Sequence, residues 1–371
     1  MHDFDCILLT GGSGAIGAYI LRELAGDQTV PIFCILRGKA SLERLIAAVG
    51  PEVADRIIPI YADLSVRGQV EATLNQIGRF PRCLAIHCAA EVSWTKSERL
   101  SGPINVEGTR NFAWLAVSVS REQPVLVFLS TAFCEQGYPP RNAYEATKLA
   151  AELLLEQEFG DLAQIAILKC SLVVGAEVDG WIARFNGVYP LIRILALAEV
   201  PCLIADAQYQ IDCVPVSFVW NQITSAVGEL RAGARLVRLV TAAGSLSLPI
   251  QELVRHTVER VDRARQACGL ESLPIISIIS ERQFRFLMSA SKSWSLTRRF
   301  SKVEEISEVM SGYIAHGGSS RNIKSSTLGG PAPDPKTYIA RVLDFWIERQ
   351  AARVLSSRQP EWLTADEAVA V

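Results

Sequence analysis

Residues 5–17 read DCILLTGGSGAIG. A continuous apolar run leads into a loop whose Gly11, Gly14 and Gly17 are spaced GxxGxxG, and the chain beyond is patterned for a helix. Glycines there permit a tight turn and close approach of backbone to a pyrophosphate, and the free N–H groups of a helix start favour that anion. The triplet alone is a weak signal; a strand before it and a helix after it supply the context it needs. Thr10, Gly11, Gly12, Ser13, Gly14, Ala15, Ile16 and Gly17 are therefore the candidate cofactor loop. A glycine-rich turn without a ligand is the alternative.

The same rhythm continues. Apolar runs at 5–10, 31–37, 56–64, 82–90, 124–130 and 164–175 alternate with amphipathic stretches at 15–26, 41–50, 67–78, 105–120 and 142–158. Strands that are apolar throughout are buried on both faces, which calls for a parallel sheet between two helix layers. The expected fold class is α/β: a doubly wound parallel sheet of the Rossmann type with a smaller mixed substrate lobe. Residues 1–175 are assigned to the nucleotide-binding domain, with a further strand near 235–243. After Gly175 the alternation breaks. Residues 176–232 and 244–356 are assigned to a substrate-binding lobe and C-terminal helices, among them helices near 248–266 and 336–355; 357–371 reads as a flexible tail.

A net charge of −2 gives no attraction for nucleic acid or an anionic membrane. The first residues lack the basic segment and cleavage site of a secretory leader. The longest apolar stretch, YPLIRILALAEVPCLI, is interrupted by Arg193, Glu199 and Pro201, so no transmembrane segment is expected. Nine cysteines, an odd number with no CxxC, sit mostly in apolar runs, as buried thiols of a reducing cytoplasm do. His2, His87, His256 and His316 show no metal-ligand spacing, and no metal is expected.

The end of the second strand discriminates between cofactors. An acidic residue there suits the ribose hydroxyls of NAD. This chain has CILRGKA, so Arg37 with Lys39 is set to hold a 2′-phosphate, which favours NADPH; a solvated basic turn is the alternative. In YADLS, Asp63 with Leu64 follows the third strand, where the carboxylate would meet the adenine amino group or cap a helix.

The fifth strand ends in LSTAF, and thirteen residues after Thr131 comes Tyr144, followed at i+4 by Lys148. Strand end and helix start both fall on the carboxyl edge of the sheet, where such folds bind ligands. A phenol near pKa 10 is a poor acid at neutral pH unless a neighbouring ammonium stabilises its phenolate. On a helix the i+4 position lies beneath, so Lys148 can serve Tyr144, with Thr131 donating to the substrate oxygen and Ser130 as a candidate substrate contact. Cys134 has no histidine placed to activate it and reads as packing. His87, at the end of the fourth strand, reads as a satisfied core residue or a catalytic one near the cofactor.

TGGSGAIG, HCAA, NVEGT, STA and YEATK occur in the order that resembles the extended short-chain dehydrogenase/reductases, over about residues 5–175. The resemblance implies that Asn105 helps hold a proton-relay water near the lysine and that Ala89 and Ala90 pack beside the cofactor. IHCAAEVSW, LSTAF, NAYEATKLAAE and VDGWIARFNGVYPLIR are similar to the reductase domains of fatty acyl-CoA reductases and thioester reductases. That narrower resemblance implies reduction of an acyl thioester by NADPH to an aldehyde or alcohol. Two positions depart from it: Lys169-Cys170-Ser171 stands where an Arg-Pro pair is usual, and Ser217 where an Asp is usual.

Trp181, Phe185, Tyr189, Phe218, Trp220, Phe284, Phe286 and Trp294 line an acyl pocket or simply form core, with Trp181 and Tyr189 the leading substrate contacts. These residues include no adenylation domain and no pantetheine-bearing serine motif, so the expected donor is acyl-CoA or an acyl carrier protein. The basic stretch 292–302 would meet such a partner or is a solvated face. The resemblance leaves a homodimer open. A ketone, sterol or aldehyde reductase with the same Thr–Tyr–Lys site is the first alternative, and a non-catalytic NADPH-sensing protein the second.

Overall fold

The computed structural model describes residues 3–26, 30–93, 96–134, 139–206, 209–290, 303 and 323–357. Trp294, the whole of the basic stretch 292–302, and 358–371 of the expected tail lie outside the described residues.

The expected sheet is present. Seven parallel strands are β1 (Cys6–Thr10), β2 (Ile32–Leu36), β3 (Ile57–Tyr61), β4 (Cys83–His87), β5 (Val125–Thr131), β6 (Gln164–Cys170) and β7 (Leu236–Thr241), in the spatial order β7-β6-β5-β4-β1-β2-β3. β1 pairs with β2 on one side and β4 on the other, with Thr10 opposite both Ile35 and His87. The chain reverses its winding direction there, so the connections leaving β1 and β4 diverge and open a crevice at the carboxyl edge.

Every residue of β1, β2, β4 and β5 is buried. Period-two alternation divides them between two cores. Ile7 and Leu9 face the layer of α1 (Ala15–Ala25) and α2 (Lys39–Val49), while Cys6 and Leu8 face α3 (Arg67–Ile77), α4 (Gly108–Val119) and α5 (Ala143–Phe159). A third core forms the lobe. It joins α6 (Tyr189–Ala196), a later helix α8 (Ile250–Ala267), α9 (Glu281–Ala290) and the C-terminal α10 (Pro335–Arg349).

Residues 216–232 differ from expectation. Val216–Arg231 forms a sixteen-residue helix, α7, whose Phe218, Val219, Ile223, Val227 and Leu230 pack into the sheet core with Leu168 and Leu239. In space this segment lies with the nucleotide-binding half, although the sequence division placed 176–232 in the lobe. Its buried positions do follow helical spacing, but β-branched and aromatic content gives weak intrinsic helicity, and docking on the sheet decides the outcome. The run 164–175 is also not one strand. It breaks at Ser171, and Leu172–Val174 leaves the sheet to pair in parallel with Cys213–Pro215.

Within the lobe, the loop after Leu172–Val174 is locked to α10 at a glycine. Gly180 has φ +70°, and a Cβ there would lie 2.3 Å from the Arg341 carbonyl oxygen of α10. Beside it, Arg341 Nε donates to the Glu177 carbonyl and Tyr338 Oη donates to that of Cys213 at 2.8 Å. Gly180→Ala therefore meets both a left-handed backbone and a backbone clash. Urea unfolding is expected to show a loss of about 2 kcal/mol or more; a wild-type midpoint would refute this account of the contact.

Candidate active site

A cleft of about 510 Å³ runs along the carboxyl edge of the sheet. Its wall includes Gly11, Ser13, Gly14, Ala15, Ile16 and Gly17 of the loop, Arg37, Asp63, Leu64, Ala89 and Ala90, and then Ser130, Thr131 and Tyr144. The structure thus brings most of the sequence-derived candidates to one cavity. Gly14 is the N-cap of α1, and its N–H donates to the Gly11 carbonyl at 2.8 Å. A Cβ on Gly17 would lie 2.3 Å from that carbonyl oxygen, so only glycine lets the helix start sit this close to the loop. A helix N-terminus open to a cavity suits a pyrophosphate.

Lys39 does not line the cleft; it is exposed at the start of α2. Two residues not singled out from the sequence take its place. Ser41 and Arg44 join Arg37 on the wall, with Arg44 Nη2 donating to Ser41 Oγ at 2.9 Å. Their signal was the i,i+3 spacing of Ser41 and Arg44, which puts both on one face of α2. Asp63 is not a helix cap. Its Oδ1 accepts from Ser65 N at 2.9 Å and Ser65 Oγ at 2.7 Å, and these bonds hold its carboxyl below the usual carboxylate range.

His87 is a core residue. Its ring stacks on Phe112 and Phe128, and both nitrogens have partners: Thr10 Oγ1 at 2.6 Å and Thr109 Oγ1 at 3.0 Å. Ala89 N donates to Thr10 Oγ1, and Thr109 Oγ1 donates to the Asn105 carbonyl. Each hydroxyl then donates once only if the imidazole is neutral with its proton on Nε2. Burial, and next the Lys148 charge, push its pKa down to about 3. Thr10 and Gly12 lie behind the cleft wall, and the Thr10 bond ties β1 to β4 where the crevice opens.

Tyr144 and Lys148 share one face of α5, which is capped by Asn142 Oδ1 accepting from Glu145 N at 3.0 Å. Tyr144 is half-buried and lines the cleft; Lys148 lies one turn behind it, 2% exposed, with Nζ 3.9 Å from the centre of the Phe128 ring. Burial pulls its pKa down to about 8, against the raising influence of Glu152. The Asn105 side chain is a clamp. Oδ1 accepts from Glu91 N at 2.7 Å, and Nδ2 donates to Glu91 O at 3.1 Å and Thr147 Oγ1 at 3.0 Å. It sits in a π-helical turn, Pro103–Glu107, just before α4.

Ser130 reaches the cleft, but its hydroxyl donates to Glu152. Cys134 Sγ donates to the Glu145 carbonyl, and burial pushes the thiol up to about 12, so it is no nucleophile. Trp181 and Tyr189 are not on the cleft wall. Trp181 packs against Tyr19 with the Arg22 guanidinium 4.1 Å from its ring, and Tyr189 is lobe core with Oη accepting from Gly175 N. Phe185 and Phe284 belong to the lobe core, Phe218 and Trp220 pack with the sheet, and Phe286 is exposed. Among the described residues no helix is long and apolar enough to cross a membrane, and no cluster of three metal-ligating side chains occurs.

The model of the male sterility protein family, an NAD-binding domain, matches residues 9–140 and 135–223. Fatty acyl-CoA reductase 1 of Xenopus laevis is 25% identical over 320 residues, covering 69% of this chain and 61% of that protein, so the chain spans about three-fifths of this relative. It spans only a small fraction of the multidomain synthetases that also match. Among solved structures, a thiolation-reductase di-domain from an archaeal non-ribosomal peptide synthetase has a TM-score of 0.67 at 16% identity, covering 95% of this chain and 76% of that one. The terminal R domain of the myxalamid PKS-NRPS pathway has a TM-score of 0.65 at 17% identity, covering 96% and 93%. At such identities the structures speak for the fold.

The His87 environment generates a pH prediction. A histidine held neutral in the fold contributes its full stability above the unfolded pKa near 6.5 and loses it progressively as pH falls toward 3. Between pH 6.5 and 5 the loss is about 2 kcal/mol. Urea unfolding at the two pH values measures it, and His87→Gln is expected to remove that component; an unchanged pH dependence in the variant would refute it.

Proposed function

The chain belongs to the male sterility protein family, and on that premise we propose that it is an NADPH-dependent reductase of acyl thioesters, in the thioester-reductase group of the extended short-chain dehydrogenase/reductases. The observation that carries this reading is the arrangement of Thr131 and Tyr144 on one cleft wall with the buried Lys148 one turn behind the phenol. The cleft fits a nicotinamide dinucleotide. The glycine loop at the start of α1 would hold the pyrophosphate, Asp63 the adenine amino group, and Arg37, Ser41 and Arg44 a 2′-phosphate. Bound NADPH supplies the hydride.

The protein's part is positioning and proton delivery. An acyl carbonyl seated near Thr131 and Tyr144 points its oxygen at two hydroxyl donors. Both strengthen their hydrogen bonds as that oxygen becomes an alkoxide. The Lys148 ammonium, kept from water, lowers the cost of a Tyr144 phenolate and so makes the phenol a usable acid. Asn105 fixes the backbone at Glu91 against Thr147 of α5, which keeps this helix in register with β4. No thiol nucleophile takes part, in keeping with the state of Cys134. The products are an aldehyde and a free thiol carrier, and a second reduction would give the alcohol. The acyl group arrives on coenzyme A or on a carrier protein.

NADPH oxidation with medium- and long-chain acyl-CoA, the matching aldehydes and a ketone tests the reading. Thioester turnover is expected, with Tyr144→Phe lowering kcat by about 10²–10⁴. Turnover of aldehyde or ketone alone would leave a general carbonyl reductase. For the cofactor, Arg37→Ala combined with Arg44→Ala is expected to raise KM for NADPH by about 10- to 100-fold while KM for NADH stays unchanged. Equal use of both cofactors by the unsubstituted protein would overturn the NADPH assignment.

A further inference from the structure

Behind the Tyr144 site lies a buried charged cluster that the proposed reaction does not use. Glu152 continues the face of α5 that carries Tyr144 and Lys148, one turn further along. It is 4% exposed and makes two contacts: Ser130 Oγ donates to Oε1, and Lys169 Nζ lies 3.1 Å from Oε2. Lys169, 6% exposed at the end of β6, also donates to the Cys134 carbonyl at 3.2 Å. Two buried ammonium groups thus flank one buried carboxylate. A lone buried ammonium sheds its proton rather than stay charged, so which lysine the carboxylate serves decides the charge beside Tyr144.

The groups around Lys148 leave Glu152 as its compensating anion. From β4 it faces neutral His87 and, just beyond, Cys88; from the turn after β5, Cys134; from β6, Cys170. Burial keeps all three thiols protonated at neutral pH. Phe128 offers its ring face to the ammonium, and Lys169 adds a like charge on the far side of Glu152. Burial raises the Glu152 pKa, and the Ser130 hydrogen bond and the Lys169 ammonium work against that rise, holding the group in place as a carboxylate whose charge acts on Lys148 without a direct ion pair.

We infer that Glu152, held by Ser130 and Lys169, is a positioning residue: the buried counter-charge that keeps the Lys148 ammonium charged behind Tyr144. The inference rests on the proposed role of Lys148, but its test needs no substrate. The chain has eight lysines. With lysine labelled at ¹³Cε, each titration is a separate NMR signal, and Lys148→Met identifies that of Lys148.

Glu152→Gln is expected to lower the Lys148 midpoint by about one pH unit or more, a tenfold change in the protonation ratio. Glu152→Asp, which retains the charge, is expected to restore most of it. Lys169→Met, which removes the competing cation, is expected to raise it at alkaline pH, and decides the matter should the Gln variant fail to fold. A midpoint moved by less than about 0.3 units in the folded Gln variant, or the same direction in Glu152→Gln and Lys169→Met, would reduce the cluster to a structural brace. With an accepted substrate, the alkaline limb of kcat is expected to move down in parallel in Glu152→Gln. A shifted midpoint without any turnover would refute the proposed function and leave the coupling standing.

Discussion

A sheet covered by helices on both faces is open to solvent only at its edges. Every residue of β1, β2, β4 and β5 is buried, so polar chemistry can stand only where the strands end. The order β7-β6-β5-β4-β1-β2-β3 then determines which end is open, because the connections leaving β1 and β4 part in opposite directions. The cleft is the space they vacate. Gly17 keeps the first helix against its loop, and the Thr10–His87–Thr109–Asn105 chain bonds β1, β4 and the start of α4 across the opening.

The price of working at that edge is buried charge. Lys148 is taken from water one turn below Tyr144, and the fold offers it a ring face, neutral thiols and a nearby carboxylate rather than a direct ion pair. A direct pair would satisfy Lys148 fully but neutralise the field that Tyr144 needs. The second lysine, Lys169, takes the carboxylate's other oxygen instead. Burying such a cluster carries a desolvation cost that hydrophobic replacements would avoid, so its presence is better explained by work at the site than by stability.

What the sequence made legible was local. The glycine loop, the ends of β2 and β5, and the Tyr–Lys spacing on α5 are each decided within a few residues, and their candidates reach the cleft except Thr10 and Gly12 just behind it, the exposed Lys39 and the buried Lys148. What stayed hidden depends on distant segments. Lys39 and Arg44 are both basic and exposed, and only the direction of α2 separates the one off the cleft wall from the one on it. Asn105 acts through Glu91 and Thr147, far along the chain, and Glu152 through Ser130 and Lys169. For α7 the helical period was present in Phe218, Val219, Ile223 and Val227, but its β-branched content masked it until the sheet provided a surface.

Aromatic residues of the second half mislead for a related reason. A large ring suits an acyl pocket and a lobe core equally well, and nothing in its spacing tells the two apart. Trp181 is taken by Tyr19 and Arg22, Tyr189 by Gly175, and Phe185 by Tyr189 and Trp346. Side chains that do line the cleft include Val92, Ile104, Phe133, Leu172, Arg184 and Asn186. They come from loops after β4, β5 and β6 and from the strand that leaves the sheet at Ser171. On the proposed function, an acyl chain meets these residues, so its selection falls to loops at the sheet edge rather than to the aromatic core of the lobe.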